Sequence, residues 1–152
     1  MAEPELQMSE ILLSPATEFP TTVLDTIDNS FVFSIDELNH AKRRKKTMYV
    51  FSNIKGEFIG YCITSIGFPF EVAEELECDI DGKVVWIDVF EIAALHQGYN
   101  YGRFFVEQVK NRCSYDILLL SIEESIYFWQ QMGFTVISYS GEMAYMIYEK
   151  EI

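Results

Sequence analysis

The sequence predicts one α/β (α+β) domain spanning residues 1–152, with a central sheet of six to seven strands and about four helices. Three observations carry that expectation. Residues 84–92, VVWIDVFEI, form a mostly apolar, β-favouring run that passes through a glycine-bearing turn into a helical pattern, with Phe105, Val109 and Cys113 at i, i+4, i+8. Two pairs of strand-like runs, 48–51 with 58–66 and 135–139 with 143–148, are each joined by a short turn carrying Gly56 or Gly141. Helical periodicity fills 22–31 and 35–45.

Taken in order, Ile11-Leu12-Leu13, closed by Pro15, is a candidate first strand. Val23, Ile27 and Phe31 at i, i+4, i+8 mark a short helix that Asn29-Ser30 should break. Ser34-Ile35-Asp36-Glu37 reads as a capping box, in which the Ser hydroxyl accepts from the N3 amide and Glu37 reaches back. The helix it opens should run to about Lys45 and bury Ile35, Leu38 and Ala41. Its end, Lys42-Arg43-Arg44-Lys45-Lys46, holds five of the eleven basic residues and complements a helix C-terminus. A patch for an acidic partner is the other reading. Six acidic residues then fall between Glu71 and Asp81, ahead of an Asp81-Gly82 turn. They read as a solvated face, or as an attractor for a cationic ligand. After the central strand, 101–112 should be helix, 116–122 strand and 123–132 helix, with Gly133 as its C′ residue.

Composition narrows the function. A chain of 152 residues with 49% hydrophobic and 15% aromatic residues can build one sizeable core. No apolar run reaches the ~20 residues of a membrane span, and the acidic start lacks the basic region of a secretory signal. Cys62, Cys78 and Cys113 are odd in number and lack metal-ligand spacing, so they read as reduced thiols of a cytoplasmic protein with no metal site. With 24 acidic and 11 basic residues the formal charge is −13, which opposes general nucleic-acid binding and attracts amines or basic peptides. The same charge also serves solubility.

The turn after the central strand carries the most specific chemistry. A glycine-bearing loop that opens a helix points free amides at an anion, and the helix dipole adds roughly half a positive charge there. The mononucleotide loop GxxxxGK[ST] fails here, because Arg103 and Phe104 follow Gly102; GxGxxG fails on Gly98-Tyr99-Asn100-Tyr101-Gly102. What stands is Gln97-x-x-Asn100-x-Gly102. It resembles the Q/R-x-x-G-x-G/A loop of the GCN5-related N-acetyltransferases, with Asn100 in place of the middle glycine; Asn is the non-Gly residue most tolerant of positive φ. Downstream, Ser125-Ile126-Tyr127-Phe128-Trp129-Gln130-Gln131-Met132-Gly133-Phe134 is similar to that family's A-x-x-F-Y-x-x-x-G-F segment. The resemblance covers roughly residues 84–148. It implies a mixed, mostly antiparallel sheet, binding of acetyl-CoA as substrate, and transfer of its acetyl group to a primary amine, either a small amine or a protein lysine or N-terminus.

The resemblance also implies roles. The amides of Gly98, Tyr99, Asn100, Tyr101, Gly102 and Arg103 would hold the pyrophosphate, with Gln97 and Arg103 near the phosphates, and the strand end at Ile92 and Ala94 would pair with the pantetheine arm. A base is expected as a carboxylate on the central strand. Strand alternation puts Trp86, Asp88, Phe90 and Ile92 on one face and Ile87, Val89 and Glu91 on the other. Asp88, between Trp86 and Phe90, is a candidate base through desolvation, with Glu91 as its rival and His96 a bystander beside the loop. Trp129 stands where many relatives carry the acid Tyr; its indole donates a hydrogen bond and releases no proton. The partners expected are therefore acetyl-CoA and a cationic amine acceptor, with no nucleic acid and no membrane, for a monomer or homodimer. The alternative is a module of the same fold that binds CoA or a protein and catalyses weakly or not at all.

Overall fold

The computed structural model describes residues 6–30, 35–67, 84–93 and 96–150. Its elements run β1 (Leu6–Leu12), α1 (Thr21–Ser30), α2 (Ile35–Arg43), β2 (Thr47–Asn53), β3 (Phe58–Ile66), β4 (Val84–Ile92), α3 (Tyr101–Arg112), β5 (Asp116–Ser121), a 3₁₀ turn (Glu123–Ser125), α4 (Ile126–Gln131), β6 (Thr135–Ser140) and β7 (Met143–Tyr148). The strands form one seven-stranded sheet in the order β1-β2-β3-β4-β5-β7-β6. Pairing is antiparallel for β1–β2, β2–β3, β5–β7 and β6–β7, and parallel for β4–β5. This is the mixed, mostly antiparallel architecture the resemblance implies, with seven strands and four helices among the described residues.

Boundaries moved where pairing outweighs local signals. β1 extends back to Leu6 because all seven of its residues pair with β2, and Leu13 leaves the strand to become buried. Asn29-Ser30 stays within α1 rather than breaking it. α2 stops at Arg43, not near Lys45: Lys45 adopts φ 55 and the Lys46 amide donates back to the Ala41 carbonyl at 3.1 Å. Only Lys42 and Arg43 of the basic run therefore lie in the helix's last turn. The expected 123–132 helix is a 3₁₀ turn followed by α4. Phe31, Ser34, Cys78, the acidic stretch 71–81 and the Asp81-Gly82 turn lie outside the described residues.

The chain divides into two compact units, residues 1–64 with 89–105, and 65–88 with 106–152. In the first, α1 and α2 bury Val23, Ile27, Leu38 and Ala41 against Leu13, Met48, Tyr61 and Ile63, with Val89 and Ile35 half-buried beside them. Each such side chain contributes on the order of 1.5–3 kcal/mol on leaving water, less for Ala. Other aromatics of this unit meet at Phe51, whose ring stacks on Phe105 of α3 at 4.0 Å and tilts against Phe90 of β4 at 5.3 Å. In the second unit, Val84 and Trp86 pack with Leu118, Tyr145 and Ile147. The Lys110 ammonium closes that unit: it donates to the Met132 carbonyl at 2.9 Å and to Glu107 at 3.0 Å, and lies 4.2 Å from the Tyr148 ring centre.

Candidate active site

The site grows from the end of β4. Within β3, Gly60 has no side chain because β4 occupies the space: an added Cβ would lie 2.2 Å from the Glu91 carbonyl oxygen and 3.0 Å from the Ile92 Cα. The strands stay joined there through the Ala93 amide, which donates to the Ile59 carbonyl at 2.8 Å. The chain then turns, with the His96 amide donating to the Ala93 carbonyl at 2.8 Å. Gln97 reaches back and donates through Nε2 to the Ile92 carbonyl at 2.9 Å, tying the loop to the strand end. Ala94 lies outside the described residues.

The loop uses two left-handed residues, Gly98 at φ 87 and Asn100 at φ 63. Asn100 adopts the conformation for which a glycine is usual, as an Asn can. Its carbonyl accepts the first bond of α3, from the Phe104 amide at 3.3 Å. The amides of Tyr101 and Gly102 lie in the first turn of α3. Such amides are the donors that the first turn of a helix leaves without intrahelical acceptors. No acidic residue stands in the first turn of α3, and Arg103 adds a cation there. Tyr99, 62% exposed, stacks on Tyr101 at 5.4 Å beside the loop. The result is an anion-receptive corner of backbone donors, a helix dipole and a guanidinium.

The two carboxylates of β4 have different partners. Asp88 accepts from the Ser65 hydroxyl at 3.1 Å, and the alternation of β4 sets it on the side of Phe90. Glu91, on the opposite side with Val89, accepts from the Tyr61 hydroxyl at 3.2 Å. Glu91, Tyr61 and the loop belong to the same compact unit; Asp88 and Ser65 belong to the other. Tyr61 is fully buried, and burial first, then the charge of Glu91, pushes its phenol far above the ordinary range.

Trp129 is buried against Phe128 and Phe134, at ring-centre distances of 5.1 and 5.2 Å. The Phe134 amide donates to its carbonyl at 3.0 Å while Gly133 turns at φ 93, so Trp129 anchors the end of α4. Tyr127 is exposed and bonds to Gln131 at 2.7 Å. Two contributors escaped the sequence reading, Gly60 and Tyr61. A glycine inside a strand signals close backbone approach, and Gly60 gave that signal. Nothing local pointed to Tyr61. Among the described residues, no group of three or more His, Cys, Asp or Glu could hold a metal ion, and no helix is long and apolar enough to cross a membrane.

No family model and no curated protein matches the chain. Solved structures do. A Bacillus subtilis N-acetyltransferase, YlbP, in complex with coenzyme A is 16% identical, with 95% of this chain and 97% of that one covered at a TM-score of 0.65. NAA60 of Arabidopsis thaliana in complex with acetyl-CoA is 11% identical, covering 95% and 100% at 0.64. The spermidine/spermine N-acetyltransferase SpeG of Vibrio cholerae is 14% identical, covering 94% and 91% at 0.59. The chain has the fold of the GCN5-related N-acetyltransferases. At such identities the likeness is one of fold, shared along nearly the whole length of each chain.

Proposed function

We propose that the protein is an N-acetyltransferase that takes acetyl-CoA as substrate and acetylates a primary amine by direct attack. The observation that carries this reading is the loop at 97–103. Its Asn100 stands in the left-handed conformation, it opens a 12-residue helix whose first-turn amides have no intrahelical acceptors, and the fold is shared with N-acetyltransferases solved with CoA or acetyl-CoA.

In this reading the amides and Arg103 hold the pyrophosphate, Gln97 fixes the loop against the strand end, and the end of β4 around Ile92 and Ala94 meets the pantetheine arm. The amine nitrogen attacks the thioester carbonyl, a C–N bond forms and the C–S bond breaks. The ammonium proton passes to a carboxylate, and the thiolate leaves and takes up a proton to give free CoA thiol. We assign the proton acceptor to Glu91, which lies in the same unit as the loop, with Asp88 as the rival held by Ser65. The acceptor is a small amine or a protein amine, of cationic character to match the charge of −13. Cys62 and Cys113, buried and in no disulfide among the described residues, fit a reducing, cytoplasmic setting.

A second reading has a specific observation behind it. Trp129 is buried where many relatives carry a tyrosine acid, and an indole supplies no proton to the leaving thiolate. A module that binds CoA and catalyses weakly would look the same in this region. Thiol release from acetyl-CoA with a panel of primary amines separates the two. The enzyme reading expects amine-dependent release, slowed at least tenfold by Glu91→Gln and less by Asp88→Asn, with acetyl-CoA affinity retained in both. Bound acetyl-CoA with no amine-stimulated release would favour the module; a loss confined to Asp88→Asn would move the base to Asp88.

A further inference from the structure

The pairing of Tyr61 with Glu91 reaches beyond the function proposed above, on which it rests. We infer that Tyr61 is a positioning residue that holds the Glu91 carboxylate in its ionised, proton-accepting form. The hydroxyl of Tyr61 donates to Glu91 Oε2 at 3.2 Å across thirty residues of sequence. The ring is fully buried, in the cluster that contains Leu38, Ala41 and Ile63, and Phe58 stacks over it at 6.3 Å with 26° between the planes. Gly60, next to it, lets β4 approach until its backbone fills the space of a Cβ, which sets Glu91 within reach. Neither partner is free to swing away without disturbing the core of this unit.

The chemistry of the pair is one-sided. Burial, then the negative charge of Glu91 and the hydrogen bond itself, with smaller contributions of the same sign from Glu37 of α2 and Cys62 of β3, hold the phenol in its protonated form. Tyr61 is therefore a donor throughout the pH range in which proteins work, and never a competing acid. A hydrogen bond given to the ionised form of a carboxylate lowers its pKa. One O–H occupies one of roughly four lone-pair directions of the carboxylate. Without the phenol, a half-buried carboxylate beside Val89 would take up a proton more readily and would start the reaction in the wrong form.

The test is a carboxyl-carbon NMR titration of Glu91, its resonance assigned by loss in Glu91→Gln, in the unaltered full chain and in Tyr61→Phe. Tyr61→Phe should raise the Glu91 midpoint by about one pH unit. The acid limb of the acetylation pH–rate profile should move up by the same amount, while acetyl-CoA affinity stays unchanged. Should Tyr61→Phe fail to fold, uniform 3-fluorotyrosine supplies a stronger donor of nearly the same size, and must move the Glu91 midpoint down. An unmoved midpoint in either form overturns the inference, and so does a midpoint that moves while the acid limb stays in place. Failure of the transferase reading has a separate signature, in which no amine accelerates thiol release from the unaltered chain although the midpoint responds to Tyr61.

Discussion

At Gly60 a single hydrogen stands where any other residue would carry a carbon 2.2 Å from the Glu91 carbonyl oxygen. The obstacle is backbone, so a side chain there must push the end of β4 away. Gly60→Ala should cost about 1–3 kcal/mol or more, as overpacking does, and lower the urea midpoint accordingly. An unchanged midpoint would mean that β4 ends elsewhere. Asn100 poses the opposite case, a non-glycine at φ 63. Asn100→Gly should keep or raise acetyl-CoA affinity, whereas Asn100→Val should lose about 1–2 kcal/mol of loop stability by the left-handed penalty and bind more weakly, as titration calorimetry would read. Equal binding by both variants would show that the loop conformation does not matter to the ligand. Sequence made Asn100 readable, because tolerance of positive φ is a property of the residue itself. It could not reveal the Tyr61–Glu91 bond, whose partners meet only when β3 lies beside β4.

The elements were legible to the extent that their signals are local. β4 and α3 have the bounds that apolar runs and i, i+4 spacing predict, and the Gly133 turn closes α4 as a C′ glycine should. β1 was longer than expected, because what extends it is the ladder to β2 rather than its own apolar content. α2 was shorter, because Lys45 leaves the helix at positive φ while the basic run still looks continuous in sequence. Lys110 was invisible as a structural residue for a related reason: a lysine in a helix reads as solvated, yet this one is buried and donates to the Met132 carbonyl just past α4. Lys110→Met keeps the stem and removes the donor. It should cost about 1–3 kcal/mol through the unsatisfied carbonyl and the lost contact with Tyr148, seen as a lower thermal midpoint with acetyl-CoA affinity unaltered. Full stability would deny the clamp its role.

At the scale of the whole molecule, the order of elements carried the fold. Strand, loop, helix, strand, helix and hairpin follow one another from Val84 to Tyr148 as the resemblance implies, and N-acetyltransferases solved with CoA or acetyl-CoA share the fold along nearly their full length. The chemistry is less legible, since both β4 carboxylates fit from sequence and it takes the structure to separate them, by the unit each belongs to and by their partners Ser65 and Tyr61. The central claim is that backbone donors between Gln97 and Arg103 grip the diphosphate of acetyl-CoA. Thermal unfolding with and without acetyl-CoA, in the unaltered chain and in Gly102→Glu, tests it most directly. The account predicts a stabilisation of about 2.7 kcal/mol when the ligand is at 100 times its Kd, and none in Gly102→Glu, where a carboxylate would face the phosphates. A midpoint in the unaltered chain that ignores acetyl-CoA, or one that rises equally in Gly102→Glu, would contradict it.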